Sequence, residues 1–432
     1  MKQQRPYARA IVTKKAARAL AAGHPWVFAG EVLAVEPGLD GSPVENGCLV
    51  DVLEKNGTYQ GTGLLSAESK IRVRLISRNA NDRFDGAFWH RKAAWAWEYR
   101  KTTMGHRALP GCEPDTCCCR VVFSEADGFP GLVVDRYEDV LVSQVGTVGM
   151  ERLRLQVYGA LLDVLRADGA DIRAIFERND GKTRRLEGLP SYQGFWDGGG
   201  WDGQVSVPDS PQVAAHENGI AYALDLAHSQ KTGFFLDQKY NRRAVRDLAA
   251  GKRVLDCFSH VGPFGLNAAA GGAAFTRCVD ISQTACDLAA ANARLNGLDG
   301  SMAFTCANVF EYLDALLADK RFLKDQGGPF DLIVLDPPAF TKSRSTRGSA
   351  ARGYREINNQ AMRLLPRGGY LATCSCSHFM DAEHLKAAIA QAAHDAHVQL
   401  RQVEERQQAP DHPIVWGIPE THYLDFFIFQ VV

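Results

Sequence analysis

Three short segments of the chain carry residue types that can do covalent chemistry, and each follows a predicted strand. They span residues 256–265, 336–340 and 373–377. In a parallel α/β sheet, the loops at the carboxyl ends of the strands converge on one crevice. A glycine turn, an acid followed by two prolines, and a pair of thiols therefore share one predicted site, and this set indicates methyl transfer with a cysteine nucleophile.

The segment at 336–340 combines an acid with a stiff backbone. Pro337 and Pro338 remove two backbone donors, so the Asp336 carboxylate and the Pro337 carbonyl are left to meet a substrate. The acid can hydrogen-bond N3 and N4 of a cytosine, and Phe340 can stack on a planar base. An ordinary turn at the end of a strand is the alternative, but the position directly after a five-residue apolar strand favours a site.

The thiols in Thr373-Cys374-Ser375-Cys376-Ser377 suggest which atom of the base is modified. Carbon 5 of a pyrimidine is a poor nucleophile, but a thiolate added to carbon 6 makes it enamine-like and able to attack a methyl donor. Cys376 is the predicted nucleophile, and Cys374 is its rival. The alternative for either residue is a buried structural cysteine.

The turn at 256–265 contains only two glycines, Gly262 and Gly265. A dinucleotide site prefers three glycines, so a cofactor without phosphates is predicted, and S-adenosylmethionine (SAM) is the common one. Asp280 ends the second strand, where it can accept two hydrogen bonds from a ribose, and Asn308 follows the third, where it can recognise adenine. The predicted cofactor-binding residues are Phe235, Asp237, Gln238, Asp256, Ser259, Gly262, Phe264, Asp280, Ile281, Asn308, Asp336 and Pro337.

Composition limits the class of protein. The 432 residues suggest two or three domains, and 46% apolar with 23% charged residues is typical of a soluble globular protein. The sequence shows no export signal and no apolar run long enough for a membrane helix, so we expect a cytoplasmic protein. The eleven cysteines are irregularly spaced and are predicted to be reduced thiols, with no metal site.

The elements that must position these motifs fall into three predicted parts. Residues 1–78 are β-rich, residues 79–200 form a helical linker and an α+β domain, and residues 201–432 alternate strands with helices. This α/β alternation predicts a doubly wound parallel sheet. The glycine-rich connector 194–203 carries two tryptophans, which more often anchor a loop than stack on bases.

Charge is unevenly distributed, although the net charge is only −1. Basic residues are concentrated in residues 1–24 and 70–107, so a local basic face is plausible. Arg72 and Arg74 alternate with apolar residues, which predicts that both stand on the face opposite the buried one and contact RNA phosphates. A solvated edge strand would give the same pattern.

Several motifs together resemble the bacterial ribosomal RNA large subunit methyltransferase I family. They are Ser124-Glu-Ala-Asp-Gly-Phe-Pro-Gly, Glu177-Arg-Asn-Asp180, Lys231-Thr-Gly-Phe-Phe-Leu-Asp-Gln238, Val254-Leu-Asp-Cys-Phe258, Asp336-Pro-Pro-Ala-Phe-Thr-Lys342 and Ser375-Cys376-Ser377. The resemblance implies a PUA domain, a central α+β domain and a seven-stranded, Rossmann-like class I SAM-dependent methyltransferase domain. It also implies that the chain makes 5-methylcytosine in 23S rRNA, with Cys376 as nucleophile and Asp336 holding the base.

The same resemblance implies that 23S rRNA or a large-subunit precursor is the partner. The predicted substrate-RNA residues are Arg72, Arg74, Pro338, Phe340 and Lys342. Two other functions stay open: methylation of a guanine ring nitrogen, which needs no thiol, and a non-catalytic RNA-binding assembly factor. The oligomeric state also stays open, a homodimer included.

Overall fold

The computed structural model describes residues 5–39, 41, 43–228, 232–341, 344–377 and 379–432. The chain divides into two compact units. The first contains residues 1–216, 223–236 and 410–421, and the second contains residues 217–222, 237–409 and 422–432. In the described part of the chain, no helix is long and apolar enough to cross a membrane.

The first unit begins with a six-stranded sheet. Its elements are β1 Ala8–Val12, α1 Lys14–Ala21, β2 Trp26–Phe28, β3 Val32–Glu36, β4 Leu49–Glu54, β5 Tyr59–Leu65 and β6 Ile71–Ser77, with strand order β2-β6-β5-β4-β1-β3. Alternate apolar residues such as Val50, Val52 and Val73 point to one face and are fully buried. The sheet therefore closes around its own small core.

A long helix leads from this sheet to a second one. The elements are α2 Gly86–Met104, β7 Cys118–Phe123, β8 Leu132–Tyr137, β9 Val140–Val145, α3 Val148–Ala167, β10 Ala174–Asn179, α4 Lys182–Leu186 and β11 Tyr192–Phe195, with strand order β11-β10-β9-β8-β7. The Asp85 side chain caps α2 by accepting from the Phe88 amide. A hairpin follows, β12 Gln212–Glu217 and β13 Ile220–Asp225, whose turn residues Asn218 and Gly219 both have positive φ.

The second unit is an alternation of helices and strands. Its elements are α5 Lys239–Leu248, β14 Arg253–Cys257, α6 Pro263–Ala270, β15 Phe275–Asp280, α7 Gln283–Leu295, β16 Met302–Cys306, α8 Val309–Ala318, α9 Lys320–Asp325, β17 Leu332–Leu335, α10 Arg347–Leu364, β18 Tyr370–Ser375, α11 Ala382–Asp395, β19 Leu400–Gln407 and β20 Asp425–Val431. The strand order is β16-β15-β14-β17-β18-β20-β19, and only β20 runs antiparallel to its neighbours. Apolar clusters cover both faces of the sheet, which confirms the predicted α/β class.

The strand order places a crevice at a defined edge of this sheet. The chain moves outward from β14 to β15 and β16, then returns to the other side of β14 with β17. Ligands of open α/β sheets bind at such a reversal point, beyond the carboxyl ends of the strands. The loops after β14, β15, β17 and β18 are therefore the ones that build the site.

Candidate active site

The loop after β14 has an unusual backbone. Phe258 and His260 adopt left-handed conformations, with φ of 60° and 49°, and Gly262 follows with φ of 82°. A left-handed residue other than glycine costs of order 1–3 kcal/mol and persists only where the surroundings impose it. Such strain is concentrated at functional sites. No residue pattern in the sequence indicated it at Phe258 or His260.

Asp256 lies at the base of this loop and is fully buried. One of its oxygens accepts from the Gly265 amide at 2.8 Å. Burial, reinforced by the nearby charges of Asp336 and Asp280, raises the pKa of Asp256 to about 8, so this side chain is neutral at pH 7. Its Oδ1 and the Ser259 hydroxyl are buried without a hydrogen-bond partner among the described residues, and a polar ligand can satisfy both.

Asp280 ends β15 with its carboxylate held in a fixed orientation. The His260 amide donates to Oδ2 at 2.8 Å, and the Ser282 amide donates to Oδ1 at 2.9 Å. Each oxygen retains a second lone pair, so the carboxylate can still accept two hydroxyl groups. Beside it, the Ile281 side chain is 73% exposed and offers an uncovered apolar surface for a flat ring.

Two other predicted cofactor residues have structural partners. Asn308 is exposed and caps α8, where its side-chain oxygen accepts from the Phe310 amide at 3.0 Å. Phe264 is only 2% exposed and stacks on Phe426 with ring centroids 6.0 Å apart. The Phe264 ring is thus a core residue, and its predicted contact with the cofactor stays a prediction. Phe235 is partly exposed and belongs to the first unit.

A hydrogen-bonded cluster forms around Asp336 at the end of β17. The Cys374 thiol donates to Asp336 Oδ1 at 2.9 Å, and the Gln238 amide donates to the same oxygen at 3.2 Å. Gln238 also lies 3.4 Å from the Cys374 sulfur. Next to it, Asp237 accepts from the Tyr423 hydroxyl at 2.6 Å. Gln238 and Cys374 therefore fix the orientation of the Asp336 carboxyl group.

Burial changes the proton affinity of this cluster. Desolvation raises the pKa of Asp336, and the Cys374 hydrogen bond and the charge of Arg242 offset only part of that rise. Desolvation also holds the pKa of the Cys374 thiol well above its usual range, and the Asp336 charge adds to this effect. Cys374 is fully buried, so its thiol is suited to donating a hydrogen bond and poorly suited to acting as a nucleophile.

Cys376 differs from Cys374 in both exposure and neighbours. It is half-buried, and its sulfur lies 3.9 Å from the Pro337 carbonyl oxygen. The loop that carries it is attached to the 336–341 loop a second time, because the Ser377 hydroxyl donates to the Thr341 carbonyl at 3.1 Å. The partly exposed thiol and the Asp336 loop therefore occupy the same edge of the sheet.

The predicted substrate residues of the 336–342 segment have different surroundings. Pro337 is buried, whereas Pro338 is exposed. Phe340 is partly buried and packs on Tyr354 at 4.8 Å and on Phe310 at 5.9 Å between ring centroids, so its ring already has aromatic neighbours that hold the loop in place. Lys342 lies outside the described residues.

The prediction that Arg74 stands on an exposed face of β6 is wrong. Its side chain is buried, with Nη1 3.0 Å from Glu187 Oε1 and Nε 3.7 Å from Glu125 Oε1. Arg72 is half-buried and donates to the carbonyls of Ser66 and Ala67. Alternation of charged and apolar residues along a strand shows that its two faces have different surroundings, but it does not show that the charged face is exposed. Here acidic residues from the neighbouring α+β region cover the second face of β6.

The other notable motifs have structural explanations. All eleven cysteines are present as thiols, and the described part of the chain contains no group of three or more residues that could hold a metal ion. In the glycine-rich connector, Trp196 is buried and packs on Tyr158 at 5.2 Å and on Trp201 at 6.0 Å. The tryptophans of the connector thus anchor a loop.

Comparison with known proteins identifies the family of this chain. A family model for SAM-dependent methyltransferases matches residues 210–421, and a PUA-like domain model matches residues 10–78. The "Ribosomal RNA large subunit methyltransferase I" of Shewanella denitrificans is 38% identical over 96% of this chain and 97% of that protein. The protein of the same name from Aeromonas salmonicida is 37% identical over 93% of both chains. The chain belongs to the ribosomal RNA large subunit methyltransferase I family.

Solved structures agree with this family in fold. A structure assigned as a SAM-dependent methyltransferase from Streptococcus mutans is similar with a TM-score of 0.75, at 21% identity, covering 98% of this chain and 100% of that one. A methyltransferase determined with S-adenosylhomocysteine is similar to the same extent, with a TM-score of 0.75 at 20% identity. As a member of the ribosomal RNA large subunit methyltransferase I family, this chain is a methyltransferase whose cofactor is SAM.

Proposed function

We propose that this member of the family methylates carbon 5 of a cytosine in 23S rRNA, through a covalent adduct between Cys376 and carbon 6. The observation that carries the proposal is the contrast between the two thiols. Cys376 is half-buried against the Asp336 loop, whereas Cys374 is fully buried and donates to Asp336. The names of the relatives supply the ribosomal substrate.

In this proposal Cys376 acts twice. Its thiolate adds to carbon 6 of the base, and the electron pair of the 5,6 double bond becomes available at carbon 5. SAM, when bound, supplies the electrophilic methyl group for that carbon. A base then removes the carbon 5 proton, the double bond re-forms, and the Cys376 thiolate leaves as the product is released.

Asp336 holds the cytosine during these steps. A carboxyl group at this position can bond the N3 and N4 edge of the base. Because burial raises the pKa of Asp336, the group can also share a proton with N3 while the thiolate adds. That proton withdraws electron density from carbon 6 and favours the addition. Gln238 and Cys374 keep the carboxyl group in place for this role.

The loops after β14 and β15 fit SAM. Asp280 presents a fixed carboxylate for the ribose hydroxyls, and the exposed Ile281 can lie against the adenine ring. The buried Ser259 hydroxyl and Asp256 Oδ1 have no hydrogen-bond partner among the described residues, so the cofactor can bond both.

We also propose that the chain has three domains, at residues 1–78, 79–200 and 201–432. The family models that match residues 10–78 and 210–421 support this division.

The cytosine has to leave its helix or loop to reach the thiol. Eversion costs a few kcal/mol for a stacked base and less for an unpaired one. The exposed Pro338 stands at the Asp336 loop, where an everted base would enter. A guanine methyltransferase would use the same loops without a thiol, so the cysteines decide between the two reactions.

The test identifies the modified nucleoside and measures how turnover depends on each of the two cysteines. Recombinant enzyme is incubated with SAM and 23S rRNA from a strain that lacks the gene, and the nucleosides are identified by mass spectrometry. We expect 5-methylcytidine from the wild type, loss of at least about 10³-fold in turnover for Cys376→Ala, and measurable turnover for the matched Cys374→Ala.

Two results would contradict the proposal. The first is a methylated guanine as the product, with Cys376→Ala fully active. The second is turnover that is lost in Cys374→Ala and kept in Cys376→Ala, which would exchange the roles of the two thiols. Calorimetry with SAM on each variant serves as the control, because both should bind the cofactor as the wild type does.

A further inference from the structure

The first unit contains an open groove whose lining includes aromatic, basic and acidic side chains. Its volume is about 630 Å³, and its lining includes Lys92, Trp95 and Tyr99 of helix α2, together with Arg78 just after β6. Across the groove from these residues lie Val415 and Ile418, from the segment that returns to the first unit near the end of the chain. The groove is therefore assembled from five separated parts of the sequence, residues 23–25, 75–78, 92–99, 125–128 and 413–418.

The aromatic side chains of this groove are exposed to an unusual degree. Trp95 is 62% exposed and Tyr99 is 37% exposed, and their spacing of four residues puts them on one face of α2. Trp416 does not itself line the groove but lies between the lining residues Val415 and Ile418, and it is 98% exposed. A tight turn, closed by a 2.8 Å hydrogen bond from the Ile418 amide to the Val415 carbonyl, places Trp416 at its tip.

The turn that carries Trp416 is held firmly against the sheet domain. The Cα of Gly417 approaches so close to Gly23 that a Cβ there would lie 3.2 Å away. The exposure of Trp416 thus belongs to a fixed turn. A large aromatic side chain presented in this way is typical of a surface that stacks on planar groups.

The cations of the groove are placed to meet an anion. Lys92 is half-buried, and burial lowers its pKa. The two acids whose charges act on it, Asp127 and Asp82, pair with Arg100 and Arg91. Lys92 forms no ion pair within the described residues, and its ammonium nitrogen lies 5.9 Å from the centroid of the Phe129 ring, although Asp127 also lines the groove.

We propose that this groove binds a single-stranded segment of the substrate RNA. Trp95 and Trp416 stack on bases, and Lys92 contacts a phosphate. Exposed aromatic rings interleaved with cations are the chemistry that recognises single strands without reading their sequence. The inference rests on the proposed function for its RNA, and it relocates the RNA contact from Arg72 and Arg74, whose guanidinium groups have protein partners.

The test is direct binding of a labelled oligouridine of about 12 nucleotides, followed by fluorescence anisotropy without SAM. Trp95→Ala and Trp416→Ala should each weaken binding about tenfold, because stacking on one base is lost. Leu186→Ala is the matched control, since Leu186 is 73% exposed but does not line the groove; its binding should equal that of the wild type. All three side chains are exposed, so we expect each variant to fold, and thermal unfolding of each variant checks this.

A variant at Lys92 tests the proposed contact with a phosphate. Lys92→Met keeps the apolar stem and should reduce the slope of log binding constant against log salt by about 0.7, the value for one phosphate contact on a single strand. In methylation assays the tryptophan variants should raise KM for rRNA and leave kcat unchanged. Because oligouridine binding is measured without cofactor or product, failure of the methylation chemistry would leave this result standing.

Two outcomes would overturn the proposal. One is oligouridine binding by Trp95→Ala and Trp416→Ala that stays within about twofold of the wild type. The other is a dimer, seen by sedimentation, that Trp416→Ala dissociates while RNA binding is unchanged. That second result would assign the groove to another copy of this chain.

Discussion

Asp256 shows how one buried carboxyl group can make stability depend on pH. Its pKa is about 8 in the folded protein, mainly because burial disfavours the charged form, and about 4 when unfolded. The folded state therefore keeps a proton that the unfolded state has lost. The stability that Asp256 contributes is complete below the unfolded pKa and declines as the pH rises through this window toward 8.

Asp256→Asn removes this titration while keeping a neutral side chain of the same shape. We expect the variant to gain stability relative to the wild type as the pH rises from 5 to 8, by at most about 1.4 kcal/mol per pH unit. Urea unfolding of both proteins at several pH values measures the difference. If the free energies of unfolding of the two proteins changed with pH in parallel, Asp256 would be ionised in the folded state.

Part of the residue-scale chemistry could be predicted from the sequence. The positions of Asp336, Asp280 and the two thiols were identifiable because each lies at or just beyond the carboxyl end of a short strand, and position at a strand end is a local property. The contrast between Cys374 and Cys376 was not, because their burial depends on packing against other strands and helices. The burial of Phe264 was not predictable for the same reason: its place just after the glycine turn does not reveal that its ring packs on Phe426.

At the scale of elements, the junction of β14 with α6 depends on the close approach of the Gly265 backbone to the side chains of Cys278 and Asp256. Gly265 stands in the first turn of α6, and a Cβ there would lie 2.3 Å from the Cys278 sulfur and 3.2 Å from Asp256 Oδ2. The helix can begin beside the sheet only because this position has no side chain. Its amide is then free to bond Asp256.

Gly265→Ala should therefore destabilise the second unit by about 1–3 kcal/mol and weaken SAM binding, since overpacking displaces the cofactor loop. Gly348→Ala is the matched control, because Gly348 also lies in the first turn of a helix but has open space around it. That change should be neutral or stabilise by up to about 1 kcal/mol. Thermal unfolding and calorimetry with SAM measure both, and equal effects at the two positions would refute the argument.

The elements themselves were largely predictable. Ser282 caps α7, Asn218 and Gly219 form the turn of the β12–β13 hairpin, and strands alternate with helices after Lys252. Caps, turns and apolar periodicity each depend on neighbouring residues, so features of this kind can be recognised in the sequence. The left-handed backbone of Phe258 and His260 has no such local signal. Tertiary contacts impose it, so only the structure reveals it.

At the scale of the whole molecule, the first unit is held together by buried ion pairs between distant segments. The Arg74–Glu187 pair joins β6 to the end of α4, with both side chains buried. Arg100 pairs with Asp127 and donates to the Asp411 carbonyl, 311 residues away in the chain. No periodic pattern predicts partners this far apart, and for that reason the sequence suggested an exposed Arg74.

Arg74→Met tests the importance of these pairs. Glu187 would keep a buried charge without its partner, and we expect a loss of about 3–5 kcal/mol in the stability of the first unit with SAM binding unchanged. Arg9→Met is the control, because the Arg9–Glu36 pair is nearly half-exposed and should contribute at most about 1 kcal/mol. Similar unfolding midpoints for the two variants would mean that Arg74 is solvated.

The central claim, that Cys376 attacks carbon 6 of a cytosine, can be tested most directly by trapping the adduct. An RNA fragment carrying 5-fluorocytidine at the methylated position cannot lose a proton from carbon 5, so the covalent complex should accumulate in the presence of SAM. Intact-protein mass spectrometry should show the adduct for the wild type and for Cys374→Ala, with the RNA mapped to the peptide that contains Cys376, and none for Cys376→Ala. An adduct that persists in Cys376→Ala, or one mapped to Cys374, would contradict the account.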